Sequence, residues 1–545
     1  MKKIYNIFVF AACFLAVSCL QDLNTLPLND YDKTSEAAYV DGDSYLKGLA
    51  YINAYYNFVS QNDPGASDLP SFSDAGQSEL MRQWTVLNDL PTNSMDISWG
   101  DSYVESIETH TWTNAANTAI TAVYTRALKG VVLANEFLLQ TTDQKLAARG
   151  HTDLKGQIEQ YRAEARFHRA MFNYILLDLF GNPPYATEEN IGGDLPKQFD
   201  QDFAKGRAGF FNALEAELLD LVSDASALPA RGATPYPRPT KDAAKALLAR
   251  LYLNAEVYTG TARWADAKKY ASEIIANGYS LHPKYAELFL QDNGEKCAND
   301  EFIFAIEYDT SCARSWGGTT TLSSGAFNDN MNIAISTYLG TETPYVSAET
   351  WNGYRIDPQF IADNAEGVEY DPSQTLGYDP AAGDQRLRLF IEQDPASYSR
   401  SGETAGWRLW KWAKMDSNNN VISRGGDDNP DWKFSSADIA IFRLPEMYYI
   451  VAESDARLNG GTTTDATAVG YINALRKRAG LSGNATSYTV QQILKDKAVE
   501  MLWEGQRRQD EIRLGIFDAN KAHYVYPLLE TDISVNPNIK QNPGY

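Results

Sequence analysis

Tryptophan, tyrosine and aspartate side chains in predicted loops are the residues of this sequence best suited to hold a ligand. An aromatic face stacks on the apolar C–H face of a sugar ring, and carboxylate, amide or guanidinium groups bond to the ring's hydroxyl rim. The candidates are Asp41, Asp43, Trp84, Trp316, Trp351, Tyr398 and Trp407, all outside the strong helical patterns or near their ends. For each ring the alternative is packing within its own domain, and for the aspartates it is a helix N-cap at Asp43.

A catalytic site finds little support in the sequence. Of the five histidines, His168 lies in a strong helical motif on its apolar face and is predicted to be a core residue. The sequence contains no nucleophile elbow, zinc-protease motif or phosphate-binding glycine loop. A glycosidase needs only two carboxylates at the right separation, and 71 acidic residues leave such a pair open. We therefore predict no catalytic residue and no cofactor.

No metal site is predicted. The run Asp416–Asn420 with Asp427 has the spacing of a calcium loop, but Val421 occupies the position that requires glycine. A hairpin turn is favoured, and a structural calcium ion is left open without being predicted. Cys297 and Cys312 lack the spacing of a zinc site, so they form one disulfide or remain two separate thiols.

The charge of the chain bears on its partners. Its 48 basic and 71 acidic residues give a net charge of −23, which repels phosphate and anionic lipid headgroups. Nucleic acid is therefore not an expected partner. Aromatic residues make up 12% of the 545 residues, and together with the acidic surface they favour a neutral, hydroxyl-rich ligand.

The amino terminus predicts secretion and lipid anchoring. Lys2 and Lys3 precede an apolar stretch, Ile7–Val17, that is shorter than the ~20 residues of a membrane-spanning helix. The sequence that ends at Cys19 resembles a bacterial lipobox, which implies a signal peptide over residues 1–18 and lipidation of Cys19. The alternative is an ordinary signal peptide with a chance cysteine near its cleavage site.

Helical periodicity dominates both ends of the chain. A long amphipathic helix is predicted from Leu154 to Gly181, a second after Thr240 and a third from Trp264 to Gly278, the last two resembling a tetratricopeptide-type pair. Near the carboxy terminus, helices are predicted to open at Phe442 and at a capping box, Thr489–Gln492, the second carrying a Glu504–Arg508 pair. Between about 291 and 434 the composition predicts long loops and hairpins, where binding residues concentrate.

Several of these segments carry a family resemblance. The sequence from Tyr161 to Ala170, followed by Asp178–Pro184, resembles the signature helix of the SusD/RagB family of outer-membrane nutrient-binding lipoproteins. Ala249–Ala255, Arg476–Gly480 and Trp503–Gly515 resemble further segments in the family's order, and the tail Gln541–Tyr545 resembles its usual ending. With the lipobox, the resemblance covers nearly the whole mature chain.

The resemblance implies a mainly α fold. It implies a single domain over residues 19–545, in place of the several domains that the length alone suggests. Tetratricopeptide-like helix pairs, at about 33–290 and 435–515, are expected to pack against a loop-rich, ligand-facing part at about 291–434 with short β-hairpins.

The resemblance also implies a function. It predicts a non-catalytic, lipid-anchored protein on the outer-membrane surface that captures oligosaccharide. Its partner would be a SusC-like TonB-dependent outer-membrane transporter, over which it would act as a lid during import. Two alternatives stay open: a surface lipoprotein glycosidase, and a peptide-binding importer component like RagB.

Site residues carry over from the family one at a time. Ser315–Thr319 resembles the loop that supplies a ring of the aromatic platform, so Trp316 is expected to bind the ligand. Asp74 and Arg82 match the family's polar contacts by position. A platform tryptophan expected near Ile97 is missing, with Trp99 close by and Trp84 earlier, which puts starch as the ligand in doubt. Cys297 is included as a candidate that lines the same ligand-binding cleft as these residues, although a buried thiol is favoured.

Overall fold

The computed structural model describes residues 35–545, apart from 61–64, 70–71, 73, 114–115, 191–194, 342–345, 348, 401, 403–404 and 421–432. The predicted signal peptide, Cys19 and Asp427 lie outside the described residues. Within the part of the chain that is described, no helix is both long enough and apolar enough to cross a bilayer.

Helices account for most of the regular structure, and about 51% of the described residues are helical. Those of the amino-terminal half are α1 Ser35–Ala38, α2 Gly42–Ala54, α3 Ala75–Ser78, α4 Leu80–Asp89, α5 Ser102–Glu108, α6 Thr118–Gln140, α7 Asp143–Arg149, α8 Lys155–Phe180, α9 Phe203–Val222, α10 Lys241–Leu253, α11 Ala255–Thr259 and α12 Trp264–Ile275. Those that follow are α13 Asn293–Lys296, α14 Gly318–Ala326, α15 Asp329–Leu339, α16 Pro358–Asn364, α17 Leu444–Leu458, α18 Ala466–Arg478, α19 Val490–Glu500, α20 Arg507–Leu514 and α21 Glu530–Val535.

The strands are short and pair two by two, all antiparallel. They are β1 Asp96–Ile97, β2 Phe302–Ile306, β3 Tyr354–Arg355, β4 Leu389–Phe390, β5 Arg408–Leu409, β6 Ile439–Arg443, β7 Thr462–Thr463 and β8 Tyr488–Thr489. The pairs are β1 with β3, β2 with β6, β4 with β5 and β7 with β8. Two of these four pairs, β1 with β3 and β2 with β6, therefore join segments that are more than about 130 residues apart in sequence.

The mainly α fold class is confirmed, and the long helices lie where the periodicity places them. The helix α8 begins just after Leu154 and ends at Gly181, whose positive φ of 69° suits glycine. It packs against α6, while α10 packs against α12 and α12 against α17. Thr240 is the N-cap of α10 as predicted, although its side chain makes no capping hydrogen bond. One continuous hydrophobic core runs through these helices and the central segment.

His168 lies within this core, as the sequence predicts. Its ring is 1% exposed, and its Nδ1 lies 3.2 Å from the Tyr56 hydroxyl. Burial, with a contribution from Arg238, lowers the pKa of His168 to about 3, so the imidazole is neutral at physiological pH. A neutral, enclosed histidine of this kind serves packing.

The central segment contains helices where the composition predicts loops and hairpins. Helices α14, α15 and α16 lie within it. The sequence of α14, which is rich in glycine, serine and threonine, has low helix propensity, but every one of its residues is buried. Tertiary packing overrides local preference there, and this is why the composition is misleading.

Two details of the carboxy-terminal prediction are wrong. Phe442 belongs to strand β6, and the helix α17 begins only at Leu444. The capping box at Thr489 is present, but α19 ends at Glu500, so Glu504 and Arg508 do not share a helix. Glu504 bonds instead to Arg443 and Lys411, because a turn with positive φ at Trp503 and Gly505 separates α19 from α20.

A set of buried charges ties the strands to the carboxy-terminal helices. Arg443 bonds through Nη1 to Glu500 at 2.5 Å and Glu301 at 3.1 Å, and through Nε to Glu504 at 2.7 Å. Lys411 reaches Glu504 at 2.6 Å. Burial opposes the charge of Glu500, but the surrounding arginines lower its pKa far below its usual value. We call these five residues the arginine network.

The structure also decides two further predictions, the turn at Asp416 and the state of the two cysteines. The Asp416 carboxylate accepts hydrogen bonds from the backbone N–H groups of Asn418 and Asn420, at 2.8 and 2.9 Å, as in a turn. Cys297 is buried, Cys312 is exposed, and both are free thiols, so the disulfide alternative is wrong.

Candidate functional site

Three partly exposed tryptophans line an open cleft of about 720 Å³. We call it the tryptophan cleft. Its lining consists of Gly65, Asp74, Gln77, Arg82, Trp99, Asp101, Trp316, Glu349 and Trp351. The structure therefore brings together Asp74, Arg82, Trp316 and Trp351 from the predicted set, although they come from three separate parts of the sequence.

The three indole rings follow one another along the cleft at an angle. The rings of Trp316 and Trp351 lie 6.0 Å apart between centroids with an interplanar angle of 42°. Trp351 and Trp99 lie 6.4 Å apart at 56°. Successive tilts of this size give a curved aromatic surface rather than a flat one.

The short sheet of β1 and β3 places Trp99 beside Trp351. Ile97 pairs with Tyr354, and the pairing continues where the Ser98 N–H donates to the Gly353 carbonyl at 3.0 Å. The two tryptophans that flank these strands meet, and the Trp99 Nε1–H donates to the Trp351 carbonyl at 3.2 Å. A pairing across some 250 residues thus builds two thirds of the aromatic surface.

Trp316 is held by a close contact between its own loop and the start of α4. A Cβ on Gly317 would lie 1.9 Å from the Glu79 carboxylate, so only glycine permits this approach. Gly318 has a φ of 45° and packs under the Tyr308 hydroxyl in the same way. The Thr321 hydroxyl donates to the Trp316 carbonyl at 2.6 Å, which fixes the backbone that carries the ring.

Glu79 is a buried carboxyl group directly beneath this loop. It accepts hydrogen bonds from the Arg82 backbone N–H at 3.1 Å and from the Tyr308 hydroxyl at 3.0 Å. Burial raises the pKa of Glu79 to about 7, against the lowering effect of these hydrogen bonds. Its charge is therefore poorly tolerated, and the neutral form is favoured below pH 7.

The rim of the cleft is polar. Arg82 is 7% exposed, and its Nε has no hydrogen-bond partner among the described residues. Asp74 caps α3 by accepting the Gly76 N–H at 2.9 Å, and Asp101 precedes α5 without a side-chain capping bond. The Trp351 Nε1–H donates to a Glu349 carboxylate oxygen at 3.0 Å. Guanidinium, carboxylate and amide groups thus surround the aromatic surface.

Three of the predicted aromatic candidates lie elsewhere. Trp84 is 3% exposed and Trp407 is 2% exposed, both within the hydrophobic core. A Cβ on Gly505 would lie 2.5 Å from the Trp84 ring, which shows how closely that ring is covered. The Tyr398 hydroxyl donates to Asp96 at 2.7 Å, and its ring does not line the cleft. These rings serve packing because internal partners already occupy them.

The remaining candidates have local structural roles. Asp41, not Asp43, is the N-cap of α2 and forms a capping box with Ser44. Asp43 pairs with Lys47 at 2.6 Å on the exposed face of the same helix. The Cys297 thiol is fully buried and lies 3.6 Å from the Glu287 carbonyl, and burial raises its pKa. None of the three lines the tryptophan cleft.

Five lining residues were not among the predicted candidates, namely Gly65, Gln77, Trp99, Asp101 and Glu349. Trp99 follows the strand β1, and its proximity to the expected position near Ile97 is the signal that could have identified it. Gln77, Asp101 and Glu349 carry no sequence pattern that separates them from other polar loop residues. Their placement follows from tertiary contacts alone.

This arrangement suits noncovalent binding of a molecule with apolar faces and a polar edge. The rings offer stacking surfaces, and the rim offers hydrogen-bond donors and acceptors. The cleft is open to solvent, and the described residues that line it include no serine, cysteine or histidine. Its chemistry is that of recognition.

Comparison with known proteins identifies the family. A family model described as "SusD family" matches residues 275–522, and one described as "Starch-binding associating with outer membrane" matches residues 72–253. The starch-binding protein SusD of Bacteroides thetaiotaomicron is 30% identical, over 100% of this chain and 100% of the relative. The chain belongs to the SusD family.

Solved structures share the SusD fold at lower identity. Surface glycan-binding protein A from Bacteroides uniformis gives a TM-score of 0.66 at 18% identity, covering 93% of this chain and 100% of that one. The same-named protein from Bacteroides thetaiotaomicron, solved in complex with laminarihexaose, gives a TM-score of 0.60 at 19% identity, covering 92% and 100%. These relatives are described as binding proteins, in agreement with the prediction that this chain is not an enzyme.

Proposed function

We propose that this SusD-family protein binds oligosaccharide in the tryptophan cleft and delivers it for import. The observation that carries the proposal is the curved surface of Trp99, Trp316 and Trp351 within a rim of carboxylate, amide and guanidinium groups. The descriptions of relatives as starch-binding and glycan-binding proteins support the same ligand class.

The geometry favours a curved glycan over a flat or highly charged ligand. Each indole face can cover one sugar ring, and the tilts of 42° and 56° let successive rings follow a bend in the chain. The rim carries three carboxylates, those of Asp74, Asp101 and Glu349, with a single guanidinium, that of Arg82. An excess of negative charge disfavours anionic ligands and suits neutral hydroxyl groups.

The proposed location is the cell surface, with the protein anchored to the outer membrane through lipidated Cys19. The family description "associating with outer membrane" and the lipobox support it. Two or more acyl chains suffice for stable anchoring without a spanning helix. There the protein would act as the lid of a SusC-like TonB-dependent transporter and close over the loaded ligand.

A binding panel tests the ligand class. The whole chain, with Cys19→Ala to prevent acylation, is titrated with neutral α- and β-glucans, other neutral glycans and a peptide library, while new reducing ends are assayed. Retention of a glycan without new reducing ends supports the proposal. Product release would establish the glycosidase alternative, and retention of peptides alone would establish the peptide-binding alternative.

A separate experiment tests anchoring and the transporter. Outer membranes are solubilised, and proteins that co-purify with the chain are identified. A TonB-dependent barrel is expected with the wild-type chain, and Cys19→Ala is expected to release the protein from the membrane fraction. Continued membrane association of Cys19→Ala in high salt would overturn the proposed anchor.

A further inference from the structure

Two of the five histidines of the chain meet at one aspartate, away from the tryptophan cleft. His110 follows α5, while Asp518 and His523 lie in the carboxy-terminal segment after α20. The Nδ1 atoms of both histidines lie 2.6 Å from the same oxygen, Asp518 Oδ2. One ligand atom from each residue lies within 4.8 Å of the others, as a single metal ion requires.

The contact of two imidazoles with one carboxylate oxygen distinguishes this cluster from His282, which also has carboxylate neighbours. At His282, Glu287 and Asp300 contact opposite ring nitrogens, at 2.8 and 3.2 Å, so the imidazole separates the two carboxylates. No single ion could contact all three groups there. At Asp518 both Nδ1 atoms contact one oxygen, and the three donor atoms all lie within 4.8 Å of one another.

The surroundings orient the first histidine and the aspartate. The His110 Nε2–H donates to the Pro91 carbonyl at 2.7 Å, which leaves Nδ1 as the atom facing Asp518. A ring nitrogen fixed in this way by a backbone carbonyl is the usual support of a metal-binding histidine. Asp518 Oδ1 accepts the Asn520 backbone N–H at 2.8 Å, which turns Oδ2 toward the histidines. His110 also has a φ of 54°, an uncommon conformation for a residue other than glycine.

We propose that His110, Asp518 and His523 form a binding site for a divalent transition-metal ion of the Zn²⁺ type. Two imidazole nitrogens and one carboxylate oxygen make a donor set that such ions favour, with water completing the coordination. At metal–ligand distances of about 2.0–2.1 Å the donor atoms of a tetrahedral site lie roughly 3.3 Å apart. Each Nδ1–Oδ2 distance therefore opens by less than about 1 Å from its hydrogen-bonded value of 2.6 Å.

Metal binding exchanges protons for the ion. Each Nδ1 gives its lone pair to the metal. The His110 Nδ1 proton leaves to solvent while His110 keeps the Nε2 proton on the Pro91 carbonyl, and in His523 the ring proton moves from Nδ1 to Nε2. His523 Nε2 lies 3.1 Å from the Asn520 amide nitrogen, so the protonated Nε2 requires this amide to rotate and present its oxygen. The affinity for the metal ion should accordingly rise with pH, because fewer protons then compete with the ion for the imidazole nitrogens.

The wall of the adjoining cleft favours a cation. This cleft, of about 730 Å³, is lined by His110 and Asp518 and gives solvent access to the cluster. Its wall carries four carboxyl side chains, including Asp518 itself, and two arginines. Burial, with a contribution from Asp96, raises the pKa of Glu108 to about 8, so at most three of these carboxyl groups oppose the two arginine charges near pH 7. Trp112 packs on His110 and His523 from the other side, at 5.3 and 4.9 Å between ring centroids, and limits the solvent there.

The site would fasten the end of the chain to its body. The Trp112 Nε1–H donates to the hydroxyl of Tyr545, the last residue, at 2.7 Å. A metal ion bound by His110 and by two residues of the 518–523 segment would add a second cross-link between the same regions. Because only the folded chain brings the ligands together, metal binding should raise the melting temperature.

The experiment uses the whole chain with Cys19→Ala and without a histidine tag. The protein is stripped with chelator and titrated with Zn²⁺ by calorimetry, and Co²⁺ uptake is followed by visible absorption. We expect one ion per chain, a higher melting temperature that chelator reverses, and tetrahedral Co²⁺ absorption bands. Absence of stoichiometric uptake would overturn the proposal and leave the cluster as a hydrogen-bonded triad.

Variants locate the ion. His523→Asn and Asp518→Asn should each weaken Zn²⁺ binding by more than about tenfold, while His282→Asn, the matched control, should bind like the parent chain. Circular dichroism and glycan titration confirm that each variant is folded. Equal loss of Zn²⁺ affinity in His282→Asn, or unchanged affinity in both cluster variants, would contradict the assignment. Neither result bears on glycan binding.

Discussion

The tryptophan cleft and the arginine network both combine arginine with carboxylates, but the first is open to a ligand and the second is closed within the fold. In the network, Arg443 bonds to three carboxylates, and its side chain is fully enclosed. In the cleft, three indole faces remain partly exposed, and Arg82 Nε has no partner among the described residues. Residue type alone therefore does not mark a binding site, whereas aromatic faces that remain partly exposed in a shared cleft do.

The tryptophans repeat this contrast. Trp84 and Trp316 were both candidates by residue type, yet Trp84 is 3% exposed within the core and Trp316 is half-buried at the cleft. Trp84 lies in the middle of α4, where helix packing covers it. Trp316 lies in a loop whose two following glycines let it sit against α4 without being covered.

The largest expected effect is the loss of unfolding free energy when the arginine network is broken. Arg443→Ala leaves Glu301, Glu500 and Glu504 without their shared partner in the interior, which should cost about 3–5 kcal/mol of unfolding free energy. Urea unfolding followed by circular dichroism measures it. Lys155→Ala, which removes an exposed ion pair with Asp143, is the control and should leave the unfolding midpoint in place. An unchanged midpoint for Arg443→Ala would show that the network does not stabilise the fold.

The second prediction concerns the buried carboxyl group under the cleft. Folded Glu79 keeps its proton up to about pH 7, whereas an unfolded glutamate loses it near about pH 4.3. Between these values the folded state binds more protons, so the contribution of Glu79 is fully present below about pH 4 and is lost as the pH rises through 7.

Glu79→Gln should remove this dependence. The unfolding free energy of the variant minus that of the parent should grow by about 3 kcal/mol from pH 4.5 to 8, since each pKa unit corresponds to about 1.4 kcal/mol. Urea unfolding of both proteins across this range measures the difference, and other titrating groups cancel because both proteins share them. A constant difference would mean that Glu79 is ionised throughout.

The third prediction separates the two tryptophans. Trp316→Ala should weaken binding of the preferred oligosaccharide by ~1–3 kcal/mol, by analogy with stacking of nucleobases on aromatic rings, with little change in stability. Calorimetric titration measures the affinity. Trp84→Phe should instead lower the melting temperature and leave the affinity unchanged, because its ring is enclosed. Tyr338→Ala, an exposed ring outside the cleft, should change neither.

The smallest expected effect lies in the orientation of a ring. Glu349→Ala removes the acceptor of the Trp351 Nε1–H and should weaken glycan binding by about 0.5–1.5 kcal/mol. Glu349→Gln keeps a carbonyl acceptor and should recover most of the loss. If alanine and glutamine weaken binding equally, the carboxylate acts through its charge, on the ligand, rather than by holding the ring.

The sequence predicts the scaffold more closely than the site. The apolar spacing from Leu154 onward gives α8 nearly to the residue, and Thr489 gives the start of α19. The helix α14 cannot be predicted in this way because its glycines, serines and threonines have low helix propensity and form a helix only when buried. Local patterns therefore suffice where local preference and packing agree, and fail where packing overrides preference.

The sequence by itself determined the long helices outside the central segment, the family resemblance and a list of residues able to bind sugar, because these depend on residue type and short spacing. Only the tertiary structure decided which of those residues form one site. The pairing of β1 with β3 joins Trp99 to Trp351, and the contact of Gly317 with Glu79 brings in Trp316. Such contacts link positions hundreds of residues apart, and no local pattern in the chain encodes them. The meeting of His110 with Asp518 and His523 has the same origin.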